Sequence, residues 1–240
     1  MTEQKPTVVL VHGAFAESAS WNGVVARLQA EGGQTVAAGN QLRSLEGDAA
    51  YVRDVVAGVG GPVVLVGHSY GGMVITEASA QNDAVVGLVF VDAFAPEHGE
   101  SALELSAKFP GSTLGDALAG YPVASGGNEL YIRQDRFHQQ FCADVPAEEA
   151  ALMAATQRPV TEKALTDPLP TDAPGWRTTP SWFVISDQDR NIPVAAHRYF
   201  AERAGARTTR EIEGGSHALS VSQPGPVAEV ILEAVTAVSS

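Results

Sequence analysis

Short β-branched apolar runs alternate along this chain with stretches in which apolar residues recur every three or four positions. The first pattern predicts buried strands and the second predicts helices packed on them. Thr7-Val8-Val9-Leu10-Val11 predicts a fully buried strand running into His12-Gly13-Ala14-Phe15. Trp21 to Glu31, with Val24, Val25 and Leu28 on one face and Gly32-Gly33 behind, predicts a helix, and Gln34 to Ala37 a short second strand. From Glu46 to Val59 the residues Tyr51, Val55 and Val59 fall at four-residue spacing beside Val52 and Val56, the stripe of a helix packed on a sheet. The apolar run from Pro62 to Val66 breaks at Gly67-His68-Ser69-Tyr70-Gly71-Gly72 and continues as a helical pattern from Met73 to Ala80. Strand, sharp turn and helix follow one another there.

Val85 to Val91 predicts a further buried strand, ending in Asp92-Ala93-Phe94, and then the rhythm stops. Residues 95 to 179 carry prolines, glycines and short helical patterns such as Ala147 to Thr156, without another strand of the same type. An insertion of this kind predicts a cap over the sheet. Ser181 to Ile185 restores the strand pattern and leads into Ser186-Asp187-Gln188-Asp189-Arg190-Asn191-Ile192-Pro193. A helix carrying Phe200, Ala201 and Ala204 follows, then a last strand from Arg207 to Ile212 and a closing helix with Val227, Val230, Ile231, Ala234 and Val235. The alternation predicts an α/β fold, a mostly parallel sheet of about six strands with helices on both faces. One domain over residues 1–240, with 95–179 as its inserted cap, is the expected organisation. In such sheets ligands bind at the carboxyl ends of the strands, where His12, Ser69, Asp92, Asp189 and His217 all fall.

Composition narrows the partners. The formal net charge is −13 and no Lys/Arg cluster offsets it, which argues against nucleic acid. The start, Met1-Thr2-Glu3-Gln4-Lys5-Pro6, has no basic segment leading into an apolar one, and no run is long enough to cross a bilayer. The expectation is a cytoplasmic protein with no membrane partner. The single cysteine, Cys142, excludes an internal disulfide and reads as a packing residue. No cluster of Cys, His and carboxylates has metal-ligand spacing, and no cofactor is expected. The sequence leaves monomer and homodimer equally open.

The turn carries the chemistry. Gly67-x-Ser69-x-Gly71 places one serine where neighbours without side chains let the backbone bend sharply between strand and helix. Backbone N–H groups and the helix dipole there favour developing negative charge, which suits acyl transfer. A serine hydroxyl needs a base, and the base needs a group that holds its tautomer. Among six histidines His217 is best placed, because Gly214-Gly215-Ser216 gives it a flexible loop after the last strand; His68, beside the serine, reads as structural. Asp92, Asp187 and Asp189 are candidates for the carboxylate. Asp189 is favoured in its Asp-Arg-Asn-Ile-Pro loop, with Asp187 as a loop hydrogen-bonding residue and Asp92 further from the reaction or facing substrate. The order Ser, Asp, His is that of α/β-hydrolases.

On these residues the chain resembles the α/β-hydrolase fold superfamily, and more narrowly its small group of plant methyl esterases, hydroxynitrile lyases and bacterial carboxylesterases. The resemblance runs through His12-Gly13-Ala14, Gly67-His68-Ser69-Tyr70-Gly71-Gly72, Asp189-x-x-Ile192-Pro193 and Gly215-Ser216-His217, and is weakest in the cap. It implies an oxyanion hole made by the backbone N–H groups of Ala14 and Tyr70. Hydroxynitrile lyases of this group carry a threonine after the first histidine and a lysine after the catalytic one, where this chain has Gly13 and Ala218. The departure favours a serine hydrolase acting on small or medium carboxylic esters. A cofactor-free haloperoxidase or perhydrolase, a lyase-like activity and a hydrolase-fold small-ligand binding protein are the alternatives. Phe15, Phe94, Tyr121, Phe137, His138 and Phe141 are plausible pocket aromatics.

Overall fold

A computed structural model describes residues 5–124 and 126–239. Residues 1–4, on which most of the expectation about the start of the chain rests, lie outside the described residues. The strands, in chain order, are β1 (Thr7–Val11), β2 (Thr35–Ala38), β3 (Val63–His68), β4 (Val85–Val91), β5 (Leu118–Pro122), β6 (Asn128–Ile132), β7 (Val160–Thr161), β8 (Ser181–Ser186) and β9 (Thr208–Ile212). Six of them form one sheet in the order β2-β1-β3-β4-β8-β9, and every neighbouring pair is parallel. The sheet expected to be mostly parallel is wholly so among the described residues.

Alternation along the strands sorts their side chains onto two cores. Val8, Leu10, Val64, Val66, Val89, Val91, Trp182 and Val184 pack with Val24 and Leu28 of helix Asn22–Ala30 and with Val227, Val230, Ile231 and Ala234 of helix Pro224–Val238. Val9, Val11, Leu65, Phe90, Phe183 and Ile185 face helices Leu45–Val59, Gly71–Ala78 and Val194–Arg203 on the other side. With both faces covered, the strands can be apolar throughout. The two edge strands are the exceptions: β2 has Val36 and Ala37 exposed, and β9 has Thr209 and Glu211 exposed.

Local chemistry sets the ends of these elements. Ser44 caps helix Leu45–Val59 by accepting from the Gly47 N–H, and Gly60 closes it at φ 68°. The helix predicted from Trp21 begins one residue later. Ser20 donates both its hydroxyl (2.6 Å) and its N–H (3.0 Å) to the Glu17 carbonyl, tightening Ser18–Trp21 into a 3-10 turn before the α-helix starts at Asn22.

The insertion holds a small antiparallel sheet, β5-β6-β7, that periodicity did not predict. Its strands have two to five residues, and β5 ends in exposed Tyr121 and Pro122, so no apolar run marks them. Three ties fix it to the main sheet's loops. Thr161 donates to the carbonyls of Leu42 and Arg43, the Arg43 guanidinium pairs with Glu129, and Gln140 Nε2 donates to Arg190 O (2.9 Å) and Asn191 Oδ1 (2.8 Å).

The order of the sheet positions the site. From β1 the chain moves outward to β2, then returns to the other side of β1 as β3. The loops leaving β1 and β3 therefore part at a topological switch, opening a crevice above the carboxyl ends of these strands. His12 to Phe15 leave one side of it and Ser69 the other.

Candidate active site

Ser69 is the bend between β3 and helix Gly71–Ala78, held at φ 54°, a left-handed conformation that costs free energy in a non-glycine residue. Three backbone hydrogen bonds hold it there: its N–H donates to Val91 O (3.3 Å) and its carbonyl accepts from Gly72 (2.9 Å) and Phe94 (3.3 Å). The turn is also sterically closed to side chains. A Cβ on Gly71 would overlap the Val11 carbonyl, and one on Gly72 that of Phe94. The side chain of Ser69 reaches a cavity of about 130 Å3 lined by Ala14, Phe15, Tyr70, Phe94 and Ile192 and by Leu114, Leu118 and Leu130 of the insertion. Among the described residues, none of those that line it is charged.

His217 and Asp189 meet. The loop Gly214-Gly215-Ser216 carries His217 inward to 1% exposure, and its Nδ1–H donates to Asp189 Oδ2 at 2.6 Å. That bond selects the tautomer whose Nε2 is a free acceptor. The other carboxylate oxygen of Asp189 accepts from the N–H groups of Asn191 (2.7 Å) and Ile192 (3.0 Å). Burial by itself would raise this carboxyl, but the imidazoles of His217 and His197, both donating to Oδ2, outweigh it and hold Asp189 well below the usual carboxylate range. Ser216 Oγ donates to Asp144, tying the histidine loop to the insertion.

Among the described residues no hydrogen bond joins Ser69 Oγ to His217. The two are linked through His68, whose ring lies 4.7 Å from that of His217 and whose Nε2 donates to the His217 carbonyl at 2.8 Å. Phe141 packs edge-on against the His217 ring at 5.1 Å.

The other carboxylates separate cleanly. Asp187 Oδ1 accepts from the Gly214 N–H at 2.7 Å, a loop tie as read from sequence. Asp92 is wholly buried and receives the N–H (2.7 Å) and hydroxyl (2.9 Å) of Ser186, so it does not face the cavity. Burial, then the charge of Asp189, push its carboxyl well above the ordinary range.

Neither the Ala14 nor the Tyr70 N–H has a protein acceptor among the described residues, and both residues line the cavity beside Ser69. The Tyr70 hydroxyl points away, donating to Asp48 Oδ2 at 3.0 Å. His12 is buried behind them with Nδ1 donating to Gly13 O, and burial lowers its pKa. Of the aromatics weighed as lining, Phe15 and Phe94 touch the cavity. Tyr121 is exposed, Phe137 and Phe141 are core, and His138 donates to Val145 O. Cys142 is fully buried with its thiol pushed up to about 12 by burial and nearby Asp144, which removes it as a nucleophile.

One residue escaped sequence reasoning. His197, on helix Val194–Arg203, is wholly buried with Nε2 2.9 Å from Asp189 Oδ2 and 3.5 Å from Asp92 Oδ1. The three groups bring potential metal-ligand atoms within 4.8 Å of one another, a cluster that sequence spacing does not reveal. Their mutual hydrogen bonds, with those from Ser186, Asn191, Ile192 and His217, already engage these oxygens. The signal for His197 was a polar residue on the buried face set by Ala196, Phe200 and Ala201.

Comparison with known proteins agrees with this architecture. Over 131 residues the chain is 33% identical to a carbendazim hydrolyzing esterase of Nocardioides sp. (strain SG-4G), a match spanning 49% of this chain and about half (54%) of that protein. It is 24% identical to Esterase PIR7B of Oryza sativa subsp. japonica over 97% of this chain and 96% of the other. The crystal structure of polyneuridine aldehyde esterase superposes with a TM-score of 0.81 at 21% identity, covering 96% of this chain and 99% of that one. Residues 8–230 match the alpha/beta hydrolase family, and the chain belongs to it.

Proposed function

We propose that this protein is a carboxylic ester hydrolase in which Ser69, His217 and Asp189 form the catalytic triad. The observation that carries the reading is the buried 2.6 Å bond from His217 Nδ1 to Asp189 Oδ2, on a loop that the strained strand-to-helix turn holds through His68, next to Ser69, which lines the apolar cavity. In the first step His217 Nε2 takes the Ser69 Oγ proton as Oγ attacks the ester carbonyl. The Ala14 and Tyr70 N–H groups receive the oxyanion, and Asp189 stabilises the imidazolium. Collapse expels the alcohol, protonated by His217, and leaves an acyl-enzyme. Water, deprotonated by His217, then attacks the acyl carbon; the proton returns to Ser69 as the acid leaves.

The cavity supports small or medium neutral esters, since a charged acyl or alcohol group would find no counter-charge in its walls. Residues 95–179 act as the cap that encloses it. The similar esterases from Nocardioides and rice support the same chemistry. A lyase of the related kind needs a threonine at Gly13, and a Cβ there would stand 2.6 Å from Ser69 Cβ and 2.7 Å from the His68 carbonyl. Ester hydrolysis is the reading this crowding favours.

Hydrolysis of p-nitrophenyl esters from acetate to long acyl chains, with Ser69→Ala as control, tests the proposal. Ser69-dependent turnover that falls with chain length supports it. A folded protein with no turnover across the panel would overturn it.

A further inference from the structure

The proposed triad uses one histidine on Asp189, whereas the structure puts two there. Oδ2 of Asp189 receives His217 Nδ1 at 2.6 Å and His197 Nε2 at 2.9 Å, and His197 stands between this carboxylate and that of Asp92, 3.5 Å from Asp92 Oδ1. All four side chains are at most 1% exposed.

Hydrogen-bond inventory decides where the protons are. Asp189 is ionised, so each imidazole nitrogen aimed at Oδ2 carries a proton. The Nδ1 of His197 has no partner among the described residues, and a cationic ring would bury a second N–H with no acceptor. The neutral Nε2–H form fits. Asp92 and Asp189 then cannot both be charged side by side in a dry interior. Burial and the neighbouring charge of Asp189 leave Asp92 as the protonated partner of the two. The buried network thus delivers one negative charge, shared between two N–H donors on one oxygen.

We infer that His197 is a positioning residue of the proposed esterase: as a fixed neutral donor it shares Asp189 Oδ2 with His217, orients that carboxylate and limits the negative charge that the catalytic imidazole feels. This rests on the Ser69–His217–Asp189 reading. The other ionisable groups around the network are Asp144 from the cap, near Ser216 and Asp92, and His68 with His12 behind it on the β3 and β1 side. His68 and His12 are disfavoured as cations by their burial. Arg198, next to His197 on its helix, turns outward to Glu211. The charge facing His217 at short range is therefore that of Asp189, tempered by His197.

The test compares pH profiles of kcat and kcat/KM for p-nitrophenyl acetate in the wild type, His197→Leu and His197→Gln. Losing one hydrogen bond to a charged group predicts a fall in kcat of about tenfold for the leucine variant, with KM changed less than about twofold. With more charge left on Oδ2, the acid limb of kcat/KM should move to higher pH. Glutamine, whose amide can donate to the same oxygen, should restore most of both. A leucine profile that superposes on the wild type, a shift to lower pH, or glutamine no better than leucine would overturn the inference. A second arm needs neither a variant nor turnover. In wild-type protein with 15N-labelled histidine, the His197 Nε2–H resonance should be present and should shift as His217 titrates; an unprotonated Nε2, or a resonance indifferent to His217, would overturn the inference. If the NMR coupling is found but no ester is turned over, the esterase reading fails and the shared-oxygen network stands.

Discussion

His68 Nε2 donates to the backbone carbonyl of His217 at 2.8 Å, so the side chain preceding Ser69 holds the loop that carries the proposed base. Burial, then the neighbouring His217, push the pKa of His68 down to about 3. The unfolded chain protonates this imidazole near its ordinary value of 6.5, while the folded protein resists until about 3. Between those values the unfolded state binds more protons, so the contribution of His68 to stability is complete above about 6.5 and is lost as pH falls toward 3. Melting curves at pH 7.5, 6 and 5 should show the wild type losing Tm toward acid. His68→Gln, which can still donate to the carbonyl but does not titrate, should lose less over the same interval. Parallel slopes for the two proteins would contradict the assignment.

The two carboxylates in the loop after β8, Asp187 and Asp189, make opposite predictions for activity. Ser69→Ala and His217→Ala should each lower kcat by about ten-thousandfold or more, because a triad fails as a unit. Asp189→Asn should do nearly the same, by about ten-thousandfold, through loss of the tautomer that leaves His217 Nε2 free. Asp187→Asn, whose oxygen serves only the Gly214 N–H, should stay within about tenfold of wild type. Steady-state kinetics on p-nitrophenyl acetate with circular dichroism for folding checks all four. A severe loss at Asp187 with normal turnover at Asp189 would move the carboxylate role.

These assignments were legible where chemistry is written into local sequence. The glycines around Ser69 are demanded by backbone contacts with Val11 and Phe94, and Gly214-Gly215 before His217 likewise marks a loop that must turn inward. Strands β1, β3, β4 and β8 could be read because both faces are buried and each carries an unbroken or nearly unbroken apolar run. What stayed hidden was set by distant partners. β5 to β7 are held by one another and by Arg43 and Leu42, so their residues show no core period. His197 looks like one polar residue in a helix until β4 and the Asp189 loop bring two carboxylates to it.

Tyr70 separates a backbone role from a side-chain role. Its N–H is proposed for the oxyanion, while its hydroxyl serves the buried carboxylate of Asp48, which otherwise accepts from the Arg43 N–H at 3.3 Å. Burial already raises the Asp48 carboxyl, and Tyr70 counteracts part of that rise. Tyr70→Phe removes the hydroxyl and leaves the backbone intact. Stability should fall by about 1–3 kcal/mol, a loss of several degrees in Tm, and kcat by less than about threefold. A large fall in kcat with little change in Tm would place the hydroxyl in the reaction instead.

Phe15 divides two spaces. It lines the cavity of about 130 Å3 that Ser69 reaches, and also a groove of about 320 Å3 on the far side, between the Ser18–Trp21 turn and helix Ala147–Thr156, with Leu152, Met153 and Val221 in its walls. Phe15 as a whole is only 3% exposed, and its backbone sits at φ 60°, held by a hydrogen bond from its N–H to Arg158 O at 3.1 Å. Truncating the ring should join the chamber to the groove without altering the Ala14 N–H next to it. Phe15→Ala should therefore extend hydrolysis to longer acyl chains, raising kcat/KM for p-nitrophenyl octanoate relative to acetate by about tenfold or more, the range expected when several methylenes gain apolar burial. Losing the ring from the core costs about 3–5 kcal/mol, so the assay belongs well below the variant's Tm. Phe15→Gly is the companion variant, because glycine adopts the positive φ without strain and should recover part of the lost stability while keeping the wider specificity. An unchanged octanoate-to-acetate ratio in both folded variants would show that the wall between the two spaces is made by other residues.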